Sequence, residues 1–315
     1  MQIKYSIFPL LLLAFFISTS ELHCSVKGRD AFLTFNNRKR LFRIFKPPYL
    51  KVSKKYPLII VLHGGGMNRR VAERKGFNEL AIKEKFIVLY PEAIGKKWNN
   101  GRIDQTSKAY KEKIDDVGFI SFLIKWMAEN HPVDLSRVYV TGASNGGMMT
   151  YRLAIELSEK IAASAAVIAN IPESILKFPR PKRAIPIMIL NGTEDRWVPF
   201  YGGNIRFNGR KIIGTGKVLS TLKTALYFVK SNACSKKPIL EKIPDKVKAD
   251  GITVLKRTFA GGREDSEVIL YQLNGAGHTW PGIKTPLVQW LLGPACLDIE
   301  ATHLIWNFFK KHQRR

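Results

Sequence analysis

Val138-Tyr139-Val140-Thr141-Gly142-Ala143-Ser144-Asn145-Gly146-Gly147-Met148-Met149 is the stretch on which the reading of this chain turns. Apolar, β-branched residues lead into it, and Met149, Leu153 and Leu157 continue at helical spacing, so the order is strand, tight turn, helix. Its centre, Gly142 to Gly146, fits the G-x-S-x-G pattern that holds a serine on a sharp strand-to-helix turn. A hydroxyl placed there stands clear of the backbone at a helix N-terminus, where N–H groups can face a developing oxyanion. Glycines at both ends leave room for the turn. With Gly and Ser each near ~7% of residues, about 0.1 such matches arise by chance in a chain of this length, so the surrounding sequence must decide.

Outward from the turn, the chain alternates strand and helix. Pro57-Leu58-Ile59-Ile60-Val61-Leu62 and Phe86-Ile87-Val88-Leu89-Tyr90 are continuous apolar runs of the kind that strands buried on both faces require. Val71 to Glu84 between them reads as a helix, which predicts a parallel pair with a right-handed crossover. Asp115-Asp116 opens a helix to about Asn130, with acid in its first turn and an apolar stripe through Phe119, Leu123 and Met127. Strands are expected at Arg137 to Thr141, Ala163 to Ala169, Ile185 to Leu190, Val254 to Phe259 and Val268 to Leu273. Helices are expected at Val218 to Val229 and Asp298 to Lys311. Near the start, Ala31 to Phe35 and Leu41 to Phe45 alternate apolar and polar residues around Asn36-Asn37, the signature of an antiparallel hairpin. The expectation is one α/β domain over residues 21–315: a mostly parallel, doubly wound sheet with an N-terminal antiparallel hairpin.

At 315 residues and 45% hydrophobic, the chain is long enough for a full-sized core. Lys4, an unbroken apolar run from Ile7 to Ile17 and then Ser18-Thr19-Ser20 fit a signal peptide over residues 1–20, which places the mature protein outside the cell or in a periplasm. Cysteine is scarce: Cys24, Cys234 and Cys296 allow one intramolecular bridge, and an oxidising compartment permits Cys234 and Cys296 to form it. The net charge of +26 favours contact with acidic surfaces. Its basic residues, however, lie in small scattered groups such as Arg38-Lys39-Arg40 and Lys182-Arg183, without a nucleic-acid recognition motif, which reads as a solvated basic exterior. Gly214-Thr215-Gly216-Lys217 resembles the end of a phosphate loop but lacks its first glycine and its final Ser or Thr. There is no H-E-x-x-H, no paired C-x-x-C and no dinucleotide fingerprint, so neither a cofactor nor a metal is expected.

A serine nucleophile needs a base within hydrogen-bond reach and a carboxylate to orient that base, in the chain order Ser, acid, His for this architecture. After Ile185 to Leu190 comes Asn191-Gly192-Thr193-Glu194-Asp195, where Asp195 and Glu194 are rivals for the acid. After Val268 to Leu273 comes Asn274-Gly275-Ala276-Gly277-His278. Both loops follow the carboxyl ends of strands, the edge where open α/β sheets gather their sites. Of six histidines, His23 lies at the processed end, His131 before a proline, and His303 and His312 on the closing helix. His63 and His278 fall where strands end. His63 heads the run His63-Gly64-Gly65-Gly66, a setting for backbone donors: an oxyanion needs two N–H groups, here expected from Asn145 and from Gly65, with Gly64 and Gly66 close behind.

These segments together resemble the secreted α/β-hydrolase esterases of the polyhydroxybutyrate depolymerase type, which are close to feruloyl-esterase-like enzymes. The likeness rests on Leu62 to Gly66, Trp98-Asn99 to Gly101, Asp115 to Ile120, Gly142 to Met149, Asp195 with Val198 to Gly203, Gly277 to Gly282, and Asp298 to Thr302 with Ile305-Trp306. The resemblance implies Ser144, Asp195 and His278 as nucleophile, acid and base, selecting Asp195 over Glu194. It also implies Trp98 and Trp280 in the ester site, and Tyr201, in a matching segment, is expected to bind substrate with them. Cysteines that such proteins often carry near the Trp-Asn loop and near Gly261 are absent, so the resemblance gives Cys234 no partner. The expected activity is hydrolysis of a carboxylic ester, polyester oligomers first and feruloyl or acetyl esters of plant polysaccharides second. A peptidase on the same fold, and a noncatalytic cationic binding protein on this scaffold, are the contrasting classes. Peptide turnover, or salt-sensitive binding without ester turnover, respectively, would mark them.

Overall fold

The run from Pro57 to Leu62 has no polar side to turn toward water, and the fold gives it none. Leu58, Ile60 and Leu62 pack into one apolar cluster while Ile59 and Val61 pack into a second on the opposite face. This segment sits inside a ten-stranded sheet in a computed structural model that describes residues 26–51, 53–284 and 286–314. The strands are β1 (Arg29–Phe35), β2 (Arg38–Phe45), β3 (Tyr56–Leu62), β4 (Ile87–Pro91), β5 (Val133–Ala143), β6 (Ala163–Val167), β7 (Ile187–Gly192), β8 (Ile239–Ile243), β9 (Thr253–Phe259) and β10 (Val268–Asn274). Their order across the sheet is β1-β2-β4-β3-β5-β6-β7-β10-β9-β8. The middle run from β4 to β10 pairs in parallel, and an antiparallel pair closes each side.

Helices cover both faces, which makes the sheet doubly wound as expected. On one side lie α3 (Asp116–Asn130), α4 (Asn145–Glu156) and α5 (Thr221–Asn232), through residues such as Phe119, Met149 and Phe228. On the other lie α1 (Arg69–Glu73), α2 (Phe77–Glu84) and α6 (Ala301–Phe309), through Ala72, Phe77, Ile305 and Phe309. The N-terminal hairpin is present, its turn made by Asn36 and Asn37 with φ of 48° and 55°. Two positive φ values in a two-residue loop match the right-handed twist of the strands, and asparagine tolerates them better than most residues.

Several local expectations need correction. The helix expected over Val71 to Glu84 is two short helices, because Gly76 at φ 82° breaks the hydrogen-bond ladder between them. α5 starts three residues later than Val218, where the Ser220 hydroxyl accepts the Lys223 amide and caps it. Strand β8 lies on an edge with four of its five residues exposed, so no apolar pattern marked it. The Cys234–Cys296 bridge is not formed: among the described residues both thiols are free, and both are buried, Cys234 in the cluster on one face of the sheet and Cys296 in the cluster on the other. Cys234 lies instead against Gly262, where an added Cβ would approach its sulfur to 2.7 Å. The expected signal peptide at 1–20, with His23 and Cys24, lies outside the described residues. Among the described residues no helix is long and apolar enough to cross a membrane.

Candidate active site

β5 ends in the turn that carries Ser144, whose backbone sits at φ 56°, ψ −119°. A non-glycine residue pays strain in such a conformation and holds it only when neighbours over-determine it. Here the Ser144 amide donates to Val167 O at 3.0 Å, tying the turn to β6. The glycines around it are required by contact. A Cβ on Gly146 would stand 2.5 Å from His63 O and 2.6 Å from Leu62 O, and one on Gly142 would stand 2.7 Å from the Gly146 carbonyl. α4 can therefore start against the end of β3 only because those side chains are missing.

The loop after β3 lies beside this turn. A Cβ on Gly64 would stand 3.8 Å from Ser144 Cβ, and one on Gly65 would stand 3.4 Å from Asn145 Cβ. Among the described residues the amides of Gly65 and Asn145 have no acceptor, whereas Gly66 N donates to Lys96 O at 2.8 Å. That bond removes Gly66 from the candidates for an oxyanion donor and leaves the Gly65 and Asn145 amides free to serve. Side chains hold the loop in place. The Asn145 carboxamide oxygen accepts Trp98 N at 2.8 Å, and the Trp98 indole donates to His63 O at 3.0 Å.

His63 is a brace in this arrangement. Its Nε2 accepts the Ala93 amide at 3.0 Å, which leaves Nδ1 protonated and donating to Gly64 O at 2.8 Å. Burial lowers its pKa below the usual imidazole range, consistent with a neutral ring. With both nitrogens engaged, His63 is not free to take a proton.

His278 is placed differently. Gly277 and His278 donate their amides to Pro294 O and Leu292 O, which fixes the loop after β10. The His278 Nδ1 lies 2.7 Å from Asp195 Oδ2. Asp195 is held in turn by its other oxygen, which accepts the amides of Trp197 and Val198, both at 2.8 Å. A carboxylate with both oxygens occupied keeps the imidazole in the tautomer with Nε2 open to solvent or substrate. Glu194, the rival acid, is exposed. The Trp197 ring stacks on His278 at 5.8 Å and 14° between planes.

Ser144, His278, Gly65 and Asn145 all line one cavity of about 580 Å³. No hydrogen bond joins Ser144 Oγ to His278 Nε2 among the described residues, a bond that in unliganded sites often tightens only with substrate. Trp280 lines the same cavity. The other two aromatic residues expected there do not. Trp98 is 1% exposed and lies behind the wall, its ring 5.1 Å from that of His63. Tyr201 is 81% exposed and lies outside the cavity lining. Much of the apolar lining comes from residues that no motif marked, among them Met67, Ile205, Ile212 and Leu292, together with Met148 from the turn motif. Among the described residues no group of His, Cys, Asp or Glu is arranged to hold a metal ion.

Sequence reasoning also missed Arg40. It stood in a basic triplet taken as exterior, yet it is 2% exposed and its guanidinium lies 2.5 Å from Asp116 Oδ1. The other Asp116 oxygen accepts Asn99 N at 2.7 Å, so the pair steadies the Trp98-Asn99 loop from below. Burial raises the Asp116 pKa even against the opposing pull of Arg40. The signal was present in the two-residue period of β2, which puts Arg40 on the same face as buried Phe42.

Known proteins resemble this one in sequence and fold. The family model described as "Esterase PHB depolymerase" matches residues 41–175, a little under half of the chain. The candidate esterase NocK of Nocardia uniformis subsp. tsuyamanensis is 27% identical over 254 residues, covering 79% of this chain and 73% of that protein. Poly(3-hydroxyalkanoate) depolymerase C of Paucimonas lemoignei is 32% identical over 121 residues, 37% of this chain and 28% of the depolymerase. Acetyl xylan esterase from Aspergillus awamori superposes with a TM-score of 0.55 at 16% identity, over 84% of this chain and 98% of that one, a likeness of fold. The resemblance to polyhydroxybutyrate-depolymerase-type esterases thus holds in the matched segment, and the α/β-hydrolase fold holds beyond it.

Proposed function

We propose, from the premise that this chain is a carboxylic-ester hydrolase with the α/β-hydrolase fold, that it works through Ser144, His278 and Asp195 by way of an acyl-enzyme. One observation carries the reading: the His278–Asp195 pair at 2.7 Å faces the cavity that also holds Ser144 on its strained turn. Ser144 Oγ adds to the ester carbonyl carbon while His278 Nε2 takes its proton. The carbonyl oxygen becomes an oxyanion that the Gly65 and Asn145 amides stabilise. The C–O bond to the alcohol then breaks, and His278 returns the proton to the departing alkoxide. Water, deprotonated by the same imidazole, attacks the acyl-serine and releases the acid. Asp195 keeps the imidazole oriented and stabilises its cationic form throughout.

Hydroxyalkanoate oligomer esters are the first substrate class in this reading, supported by the family match and by the named activity of the Paucimonas relative. Feruloyl or acetyl esters of polysaccharides are the second, favoured by a largely apolar cavity of about 580 Å³, wide enough for an aromatic acyl group. We place the mature enzyme over residues 21–315, outside the cell or in a periplasm, after removal of the segment 1–20. The basic exterior would there meet acidic polymers or surfaces. Hydrolysis of p-nitrophenyl butyrate by the wild type and by Ser144→Ala tests the assignment. Loss of kcat by at least about 10⁴-fold is expected, in line with removal of a serine nucleophile elsewhere. Turnover retained in the variant sinks it.

A further inference from the structure

We infer that the cleft takes esters that also carry a free carboxylate, and that Lys75 is the cation that receives it. This rests on the esterase reading and narrows its substrate class. The cavity lining includes Arg74, Lys75, Lys97 and Arg102 and no acidic residue. Lys97 and Arg102 share Asp104, at 3.6 and 2.7 Å, so each already has a carboxylate partner within the protein. Arg74 is exposed and solvated. Lys75 has neither compensation. It is half-buried, its ammonium stands 5.3 Å from the centre of the Trp280 ring, and it has no carboxylate partner among the described residues.

Elsewhere this chain pairs the cations it buries: Arg40 with Asp116, Arg43 with Glu73, Arg102 with Asp104. An unpaired charge against an apolar wall is costly, and burial lowers the Lys75 pKa to about 8. The exception occurs on the wall of the reaction cavity, beside a tryptophan only two residues from His278. An anionic group on the substrate would supply the missing partner. Among anions, a carboxylate is the one that the hydroxyacid end of a polyester oligomer and an acidic sugar ester have in common.

The test is a ratio of kcat/KM values, free acid over neutral analogue. One pair of substrates is the 3-hydroxybutyrate dimer and its methyl ester; the other is acetylated glucuronic acid and acetylated glucose. The wild type is expected to favour the free acid in at least one pair by about tenfold, the scale of one charge-assisted hydrogen bond. The pair that shows the preference identifies the source of the carboxylate. Lys75→Met should bring that ratio to about one, chiefly through KM, whereas Lys75→Arg and the distant surface variant Lys125→Met should keep it. A wild-type ratio at or below one in both pairs, or a ratio undiminished in Lys75→Met, overturns the inference while the esterase reading stands. Absence of turnover of every ester, p-nitrophenyl butyrate included, overturns the esterase reading itself. A measurement without variants covers poor folding of Lys75→Met: free 3-hydroxybutyrate should inhibit p-nitrophenyl butyrate hydrolysis competitively and more strongly than methyl 3-hydroxybutyrate. Equal inhibition by the two contradicts the inference.

Discussion

At Gly146 one added carbon would meet two backbone carbonyl oxygens at 2.5 and 2.6 Å, whereas Gly203 and Gly209, in the loops beyond Asp195, have nothing within 4 Å of the same position. The two regions border one cavity. On the Ser144 side, the strand ends, the glycine loop and the helix start are locked by His63, Trp98, Asn145 and the Arg40–Asp116 pair. On the other side, Ile205 and Ile212 reach the cavity from the segment 203–218, where Phe207 and Ile213 are 52 and 85% exposed. The contrast separates two tasks. Positioning a nucleophile and two amides within tenths of an ångström demands close backbone packing, while enclosing an acyl chain needs only apolar surface in roughly the right place.

Substitutions can break or sharpen that contrast. Asp195→Asn keeps the shape of its loop but holds His278 in the wrong tautomer, so kcat on p-nitrophenyl butyrate should fall by about 10⁴-fold with KM little changed. Arg40→Met leaves the Asp116 carboxylate buried without its partner and should cost about 3–5 kcal/mol in urea unfolding. Gly146→Ala should cost about 3 kcal/mol, because the added carbon clashes with backbone that cannot swing aside. Asn145→Ala removes the acceptor of Trp98 N but leaves its own amide in place, so a loss of about 1 kcal/mol is expected. Ile213→Ala, on an exposed turn of the loop segment, should move stability by no more than about 0.5 kcal/mol. If the loop variant cost as much as Gly146→Ala, the division between a locked side and an adaptable side would be wrong.

The same division explains what could be read before the structure. Gly142, Ser144, Gly146 and the His63 to Gly66 run were legible because tight geometry excludes most residue types, and that exclusion leaves a pattern. The central strands were legible because burial on both faces requires continuous apolar runs. Spacing alone left Asp195 ambiguous beside Glu194, and only the family resemblance selected it, since adjacent carboxylates differ by direction and not by composition; in the structure it is Asp195 that meets His278. Beyond motif residues such as Trp280, the apolar cavity lining was not legible: an isoleucine at 205 or 212 looks like any other until the loop folds over the site. Trp98 shows the reverse error. A tryptophan in a motif invites a substrate-binding role, yet its indole supports the His63 carbonyl from behind.

The central claim is that Ser144 becomes covalently acylated with His278 as its base. Treating the protein with an alkyl fluorophosphonate and mapping the adduct by peptide mass spectrometry tests it directly, because the reagent captures only an activated hydroxyl. The account predicts stoichiometric modification of Ser144 in the wild type and a loss of labelling of at least about 10³-fold in rate in His278→Ala. An adduct on another serine, or undiminished labelling of Ser144 without His278, would contradict it.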